Sequence, residues 1–294
     1  MKVLDTKTSP TRILMWAVVT LLVITAAWMA THRYSSNLEV YYLDVGQGDS
    51  AIIRTPSGHV ILIDAGRISG SSDKGQTTVV PALRALGLRK IDLMVWTHPD
   101  ADHIGGMRSV MNAVEVGSIL DTSAIEKPSP VYEKLLKETQ QRKIPYRKAK
   151  RGQWFDFGDG VKADVLSPVE GYVGSNNDES IIMRFTLGKN SFLFEGDAGY
   201  EEEGELLSSG ILVQSDALKV SHHGSRTGSK IEWIAKVQPK FAIISVGKKN
   251  PFGHPHAETL QMLENVGAQI FRTDRDGTII AESDGQQITV HPWR

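Results

Sequence analysis

The sequence contains no cysteine. That absence excludes disulfides, thiolate metal ligands, a cysteine nucleophile and a lipid-modified lipoprotein cysteine. Any metal must then be held by histidine, carboxylate, amide or water. A domain of this size does not need disulfides outside the cell, so the absence fixes no compartment. Charge of one sign is lacking too. The chain carries 33 Lys+Arg against 34 Asp+Glu, a formal net charge of −1, so no global basic field marks a nucleic-acid binder. The basic cluster from Arg142-Lys143 through Arg147-Lys148 to Lys150-Arg151 reads as a solvated face. No low-complexity tract or linker divides residues 38–294, which read as one domain.

A single long apolar run is present. Ile13 to Ala30 carries no charge and follows Lys2, Lys7 and Arg12. It is long enough to span a hydrocarbon core with its positive flank on the cytoplasmic side. A cleavable signal peptide has a shorter apolar region, although Thr25-Ala26-Ala27 offers a small-residue cleavage site. Residues 1–37 are therefore expected to form a membrane anchor or signal segment and a short polar linker, His32 to Asn37. The domain at 38–294 is expected outside the cytoplasmic membrane, or secreted if the segment is cleaved.

Within that domain the chemistry concentrates in THPDADHIGG, Thr97 to Gly106. His98, Asp100, Asp102 and His103 follow directly on the apolar run Ile91–Trp96. A strand ending in such a turn aims imidazoles and carboxylates at one point, as a metal centre requires. Upstream, Leu38–Val45, Ala51–Arg54 and His59–Ile63 read as strands and Gln76–Leu88 as a helix. The third strand ends in Asp64, which either forms a turn or orients a metal ligand. A helix is predicted from Ile104 to Val110, its N-terminal end favouring anions such as phosphate.

Downstream, strands are predicted at Ile119–Thr122, Trp154–Phe157, Val161–Leu166, Ile181–Leu187, Ser191–Phe194, Ala217–Val220, Phe241–Val246, Gln269–Thr273, Thr278–Glu282 and Ile288–Val290. Helices are predicted at Pro130–Arg142, Tyr200–Ser208, Ile231–Val237 and Ala257–Asn265. Asp197 falls at a strand end, His222 and His223 at another. Two adjacent histidines after a strand do not easily point at one ion. Ser225 has no GxSxG elbow around it, so it is not a hydrolase nucleophile, but Ser225 and Arg226 suit phosphate. His254 and His256, with Lys248 and Lys249 in the same loop, suit an anionic substrate or a protonated leaving group.

DVGQGDS (Asp44–Ser50), LIDAG (Leu62–Gly66), THPDADHIGG, EGDAG (Glu195–Gly199), KVSHHGS (Lys219–Ser225) and GHPHAETL (Gly253–Leu260) occur in that order. Singly these motifs are weak, but the ordered series resembles the extracellular metallo-β-lactamase-like domain of the ComEC/Rec2 competence proteins. The match covers nearly everything from residue 38 onward. The resemblance implies an α/β fold, a four-layer αββα sandwich, preceded here by one N-terminal transmembrane or signal helix. It implies two divalent metal ions, Zn²⁺ or Mn²⁺. His98 and Asp100 would hold the first ion and Asp102 and His103 the second, with Asp197 bridging. His223 would join the second site and His222 would contact substrate, the reverse assignment staying open.

Two departures from the superfamily pattern bear on the first site. Asp100 stands where many members have histidine, and no histidine lies between His103 and His222. Gly174 to Ser180 occupies the slot of the missing ligand, where Asn176 or Asn177 offers a carbonyl oxygen. An oxygen-rich site prefers zinc less and admits manganese or magnesium. The implied activity is an extracytoplasmic phosphodiesterase, most simply a nuclease acting on DNA. Asp102 would orient the attacking water, and His254 or His222 would protonate the leaving oxygen. A small phosphodiester such as a choline-phosphate ester is the second enzymatic reading, and a non-catalytic surface binding module the third. With one apolar segment, the sequence lacks the multi-span channel region of the competence transporters.

Overall fold

The computed structural model describes residues 10–31, 37–70, 72–122, 128–169 and 179–294, the side chains of residues 10 and 26–31 excepted. The basic flank at Lys2 and Lys7, the linker residues 32–36, and Asn176 and Asn177 lie outside the described residues. The chain divides into two units, one ending at Ser35 and one running from Ser36 to Arg294. The first contains a helix, Pro10–Thr31, whose described side chains from Ile13 to Ile24 include a run of exposed Ile, Leu, Val, Met and Trp. Among the described residues, no helix is long and apolar enough to cross a membrane.

Alternating apolar residues build the strands of the second unit. Six come first: β1 (Leu38–Tyr42), β2 (Ala51–Arg54), β3 (Val60–Ile63), β4 (Leu93–Trp96), β5 (Ile119–Asp121) and β6 (Tyr146–Lys148). Seven follow: β7 (Trp154–Asp156), β8 (Val161–Ser167), β9 (Ile182–Leu187), β10 (Asn190–Phe194), β11 (Ala217–Lys219), β12 (Phe241–Ile244) and β13 (Gln269–Arg272). Two more, β14 (Ile279–Ser283) and β15 (Ile288–Pro292), return to the first set. The eight-stranded sheet has the order β6-β5-β4-β3-β2-β1-β14-β15, and the seven-stranded sheet runs β7 to β13 in sequence.

Side-chain alternation assigns each strand two jobs. Val40, Tyr42, Ile53, Ile61 and Val95 turn inward and meet Phe185, Phe192, Phe194, Ala217 and Ile243 of the other sheet. Tyr42 stacks on Phe194 with ring centroids 5.6 Å apart. The opposite faces carry Ile52, Leu62, Met94 and Trp96, packed with Leu83, Val110 and Leu135 of the helices Val80–Ala85, Met107–Ala113 and Pro130–Gln141. On the far side Leu193, Leu218 and Ile244 pack with Leu206, Trp233 and Leu263 of the helices Tyr200–Ser209, Ile231–Val237 and Ala257–Asn265. Three apolar interfaces thus separate four layers, αββα. Burying each large aliphatic or phenyl side chain contributes about 1.5–3 kcal/mol.

Three local differences from the sequence pattern have physical reasons. In place of one helix over 76–88, the chain forms a π-helical turn, Gly75–Val79, followed by the helix Val80–Ala85. Here the backbone of Gly75 touches that of Gly106, and a Cβ on Gly75 would lie 2.0 Å from the Gly106 carbonyl oxygen. The helix predicted at 104–110 is split into Ala101–Ile104 and Met107–Ala113. Gly105 breaks it where the backbone of Ile68 crosses, 2.5 Å from where a Cβ would stand. Asp102 and His103 consequently sit on a helical turn. Strand β6 was hidden by its basic composition. It is an edge strand with Arg147 and Lys148 exposed, and such charges discourage pairing with another chain.

Candidate metal centre

The topology brings the motifs together. Strands β3, β4 and β5 pair in parallel, as do β10, β11 and β12. Parallel strands joined by helical crossovers present all their C-terminal ends on one edge. Asp64 follows β3, the turn carrying His98 to His103 follows β4, Asp197 follows β10, His222 and His223 follow β11, and the His254 loop follows β12. Sites in such sheets form at the carboxyl ends of the strands for this reason.

Three of the imidazoles, His98, His103 and His223, are oriented by a partner on Nδ1. His103 Nδ1 lies 2.8 Å from Asp64 Oδ2, and His223 Nδ1 lies 2.9 Å from the Ser245 carbonyl oxygen. Both partners accept, so both Nδ1 atoms carry the hydrogen and Nε2 is the nitrogen that can offer a lone pair to an ion. Asp64 also accepts from Thr97 N at 3.0 Å and Thr97 Oγ1 at 2.6 Å. With its hydrogen committed to Asp64, Thr97 Oγ1 accepts from His98 Nδ1 at 3.1 Å. Asp64 therefore aligns two imidazoles at once, from a backbone at φ 55°. Outer partners of this kind hold metal ligands in place. Asp64→Asn is expected to weaken divalent-ion binding roughly 10- to 100-fold, measured by titration calorimetry. Unchanged affinity would remove Asp64 from the site.

The inward atoms converge on Asp197. Its Oδ1 is 3.3 Å from His103 Nε2, and its Oδ2 is 3.6, 3.8 and 3.9 Å from Nε2 of His223, His222 and His98. His223 Nε2 is also 3.6 Å from Asp102 Oδ2. His98 Nε2, His103 Nε2, His223 Nε2 and Asp197 Oδ1 are all buried and have no hydrogen-bond partner. Orphaned buried polar atoms are rare and costly. Donor atoms sharing one ion at bond lengths of about 2.0–2.2 Å stand at such separations. Among the described residues, four clusters have the donors to hold an ion: His98, His103 and Asp197; Asp102, His103 and His223; Asp49, Asp197 and His223; and Asp49, Asp64 and His103. The donor set, imidazole nitrogen and carboxylate oxygen without sulfur, suits zinc or manganese.

Charge follows the same geometry. Burial disfavours a proton on His103, but Asp197 and Asp64 outweigh it and raise its pKa well above the ordinary value. His223 is likewise pushed up to about 9, with Asp197 and Asp102 overcoming burial. In turn, despite its burial, Asp197 is held far below the usual carboxylate range by His103 and His223. His98, buried beside His103, is pushed down to about 3. Burial, then the neighbouring imidazoles, lowers His254 to about 4. Burial also lowers His222. Without metal the cluster thus balances its carboxylates with two imidazolium groups, and a divalent ion entering it displaces those protons.

The adjacent histidines depart from the sequence reading. His222 and His223 both have left-handed backbones, φ 47° and 55°, which L residues seldom adopt in succession. The curl brings both rings to face Asp197 rather than diverge. Gly224 continues it at φ 79°, where a Cβ would sit 2.6 Å from that of Pro255. Asp100 stands at the rim, its side chain 42% exposed and its Oδ2 3.9 Å from His98 Nε2. Above the cluster opens a cleft of about 270 Å³, lined among others by Arg67, Asp100, Asp102, His222, Phe252 and His254. Ser225 is not in it, being buried with its hydroxyl on Thr227. Arg226 faces a neighbouring groove with Tyr200 and Lys230. His256 receives the Arg226 amide hydrogen on Nδ1 and packs against His254.

Residue-by-residue reading missed Asp49, Ser180 and Lys219. Lys219 is 3% exposed, paired with Asp49 and donating to the Gly196 carbonyl at 3.3 Å. A lysine inside an apolar strand was the available signal, since buried charge demands a partner. Ser180 Oγ receives the Asp197 amide hydrogen at 3.1 Å and fixes that loop.

Behind this layer lie two more buried acids. Glu195 accepts from Trp233 Nε1 at 2.5 Å and Ser221 N at 3.1 Å, while Glu203 accepts from Lys230 N at 2.9 Å. Burial raises Glu195 to about 8, and burial with the charge of Glu195 raises Glu203 from 4.5 to about 10. A carboxyl with a raised folded pKa binds its proton more tightly folded than unfolded. Its contribution to stability is complete below the unfolded value and is lost as pH climbs toward the folded one. Glu203→Gln is therefore expected to raise the melting temperature by a few degrees at pH 9 and scarcely at pH 5. Equal shifts at both pH values would contradict a buried, protonated Glu203.

Comparison with known proteins agrees with this geometry. Residues 43–248 match the family model of the metallo-beta-lactamase superfamily. The ComE operon protein 3 of Bacillus subtilis (strain 168) is 33% identical over 257 residues, covering 83% of this chain and 33% of that protein. Competence protein ComA of Neisseria gonorrhoeae is 31% identical over 237 residues, covering 80% and 31%. The chain spans about a third of the length of these curated relatives. Among solved structures, CmlA, a diiron β-hydroxylase from Streptomyces venezuelae, superposes with a TM-score of 0.54 at 13% identity, over 80% of this chain and 52% of that one. At that identity the likeness is one of fold.

Proposed function

Because the chain belongs to the metallo-β-lactamase superfamily and carries a ComEC-like domain, we propose that it is a metal-dependent phosphodiesterase that cleaves DNA outside the cytoplasmic membrane. The observation that carries the reading is the set of buried, partnerless His98, His103 and His223 Nε2 atoms around Asp197. His98 and Asp100 would hold one ion, with His222 placed beside Asp197 to complete its imidazole set. Asp102, His103 and His223 would hold the other, and Asp197 would serve both. Bound divalent ions supply an activated water near neutral pH and electrostatic stabilisation of charge building on a phosphoryl group.

The chain's own residues do the rest. Asp102, at the cleft wall, accepts a hydrogen bond from the attacking water and orients it. His254 lines the same space, its ring placed to contact the leaving oxygen. Arg67 in the cleft and Lys248, exposed on the loop that carries His254, offer cations to flanking phosphates. The exposed apolar side chains from Ile13 to Ile24 support an N-terminal anchor in the membrane.

Purified full-length protein should cut DNA with Mn²⁺ or Zn²⁺ and stop in EDTA. Turnover of bis-p-nitrophenyl phosphate without DNA cleavage would move the substrate to a small phosphodiester. Absence of bound ion together with no turnover of any ester would discard the hydrolase.

A further inference from the structure

Phe252 stands on the rim of the metal cleft with 54% of its surface exposed. Its ring stacks on His254, centroids 5.5 Å apart and planes 26° from parallel. The loop that displays it is braced from within. Asn250 donates to the carbonyls of Gly247 at 3.0 Å and His254 at 2.8 Å, and its Oδ1 receives the His254 amide hydrogen at 2.9 Å. His254 is wedged in turn between the rings of His222 and His256, at centroid distances of 5.8 and 5.0 Å. The phenyl ring is thus held at a fixed height beside the carboxylate–imidazole cluster. Lys248 and Lys249 are exposed on the same loop.

An exposed aromatic face flanked by cations is the chemistry that binds unpaired nucleotides, the ring stacking on a base while the cations follow the phosphates. A base inside a duplex has both faces covered by its neighbours and must leave the stack to reach a protein ring. We infer that Phe252 is a nucleobase-stacking platform that selects phosphodiesters whose adjoining base is unpaired. This inference rests on the phosphodiesterase reading and names its substrate as single-stranded.

The test uses the full chain loaded with Mn²⁺ and a 5′-labelled oligothymidylate carrying one abasic position, with cleavage mapped bond by bond. Wild type should cut bonds beside a base roughly 5- to 100-fold faster than the bond beside the abasic sugar. It should also prefer the single strand to the same strand in a duplex. Phe252→Ala should lose both preferences, mainly through KM, and Phe252→Trp, which keeps a stacking face, should restore them. Equal cutting of base-flanked and abasic bonds by wild type, or an intact preference in Phe252→Ala, overturns the platform. Turnover of bis-p-nitrophenyl phosphate with no oligonucleotide cleavage overturns it while the phosphodiesterase reading stands. No turnover of either substrate removes both.

Discussion

Asp197→Ala is expected to lose most of its bound metal and to lower phosphodiester turnover by roughly 10²- to 10⁴-fold. The range corresponds to the several kcal/mol that metal ions supply to a transition state, at about 1.4 kcal/mol per tenfold. The size follows from position. One carboxylate stands 3.3 to 3.9 Å from the Nε2 atoms of four histidines. Among the described residues, no other side chain is paired with all four. Removing it takes the shared ligand from both proposed ion sites and the main counter-charge of His103 and His223. Asp197→Asn, close in volume but without the charge, should behave nearly as badly. Metal analysis after dialysis and turnover on the same preparations decide the matter, and melting curves in EDTA separate loss of the site from loss of the fold. Wild-type activity with wild-type metal content in either variant would end the two-ion reading.

How far such a site can be read in advance depends on how local its causes are. His98, Asp100, Asp102 and His103 lie within six residues, and the sequence displays their density directly. Strand alternation was equally legible, because period-two burial is a property of neighbours: Val40 and Tyr42 face one interface, Tyr41 and Leu43 the other. Features set by distant backbone were not legible. The break at Gly105 in the turn carrying His98 to His103 depends on Ile68 crossing it, and the wide turn at Gly75 depends on Gly106. The paired orientation of His222 and His223 depends on two left-handed residues, which composition does not announce. Asp49 and Lys219 are separated by 170 positions, and their partnership exists only once β11 enters the second sheet. Asn176 and Asn177, the expected occupants of the open slot, lie outside the described residues.

Lys219→Met is expected to be the most destabilising single substitution near the site, costing about 3–5 kcal/mol, the usual penalty for breaking a buried ion pair. Lys219 and Asp49 are 3% and 5% exposed, so water does little to screen either. Despite burial, the field of Asp49 and Asp197 raises the lysine's pKa, and it stays charged. Asp49 is held low chiefly by that lysine against its own burial, with His223 and His103 adding to it. Methionine keeps the apolar stem and deletes the charge, leaving Asp49 buried near Asp64 and Asp197 with only imidazoles to offset it. A loss of that size lowers the melting temperature by roughly 6–20 °C, at about 2–4 °C per kcal/mol for a domain of this scale. Two controls identify the cause. Adding Asp49→Asn to Lys219→Met should recover much of the loss, because the orphaned charge disappears with its partner. Added Mn²⁺ should stabilise the single variant more than it stabilises wild type, since Asp49 clusters with Asp197 and His223 and a cation held there takes over the lysine's work. A single variant that melts with wild type in EDTA would show that the pair contributes nothing beneath the metal centre. A double variant no better than the single would place the loss in packing rather than charge.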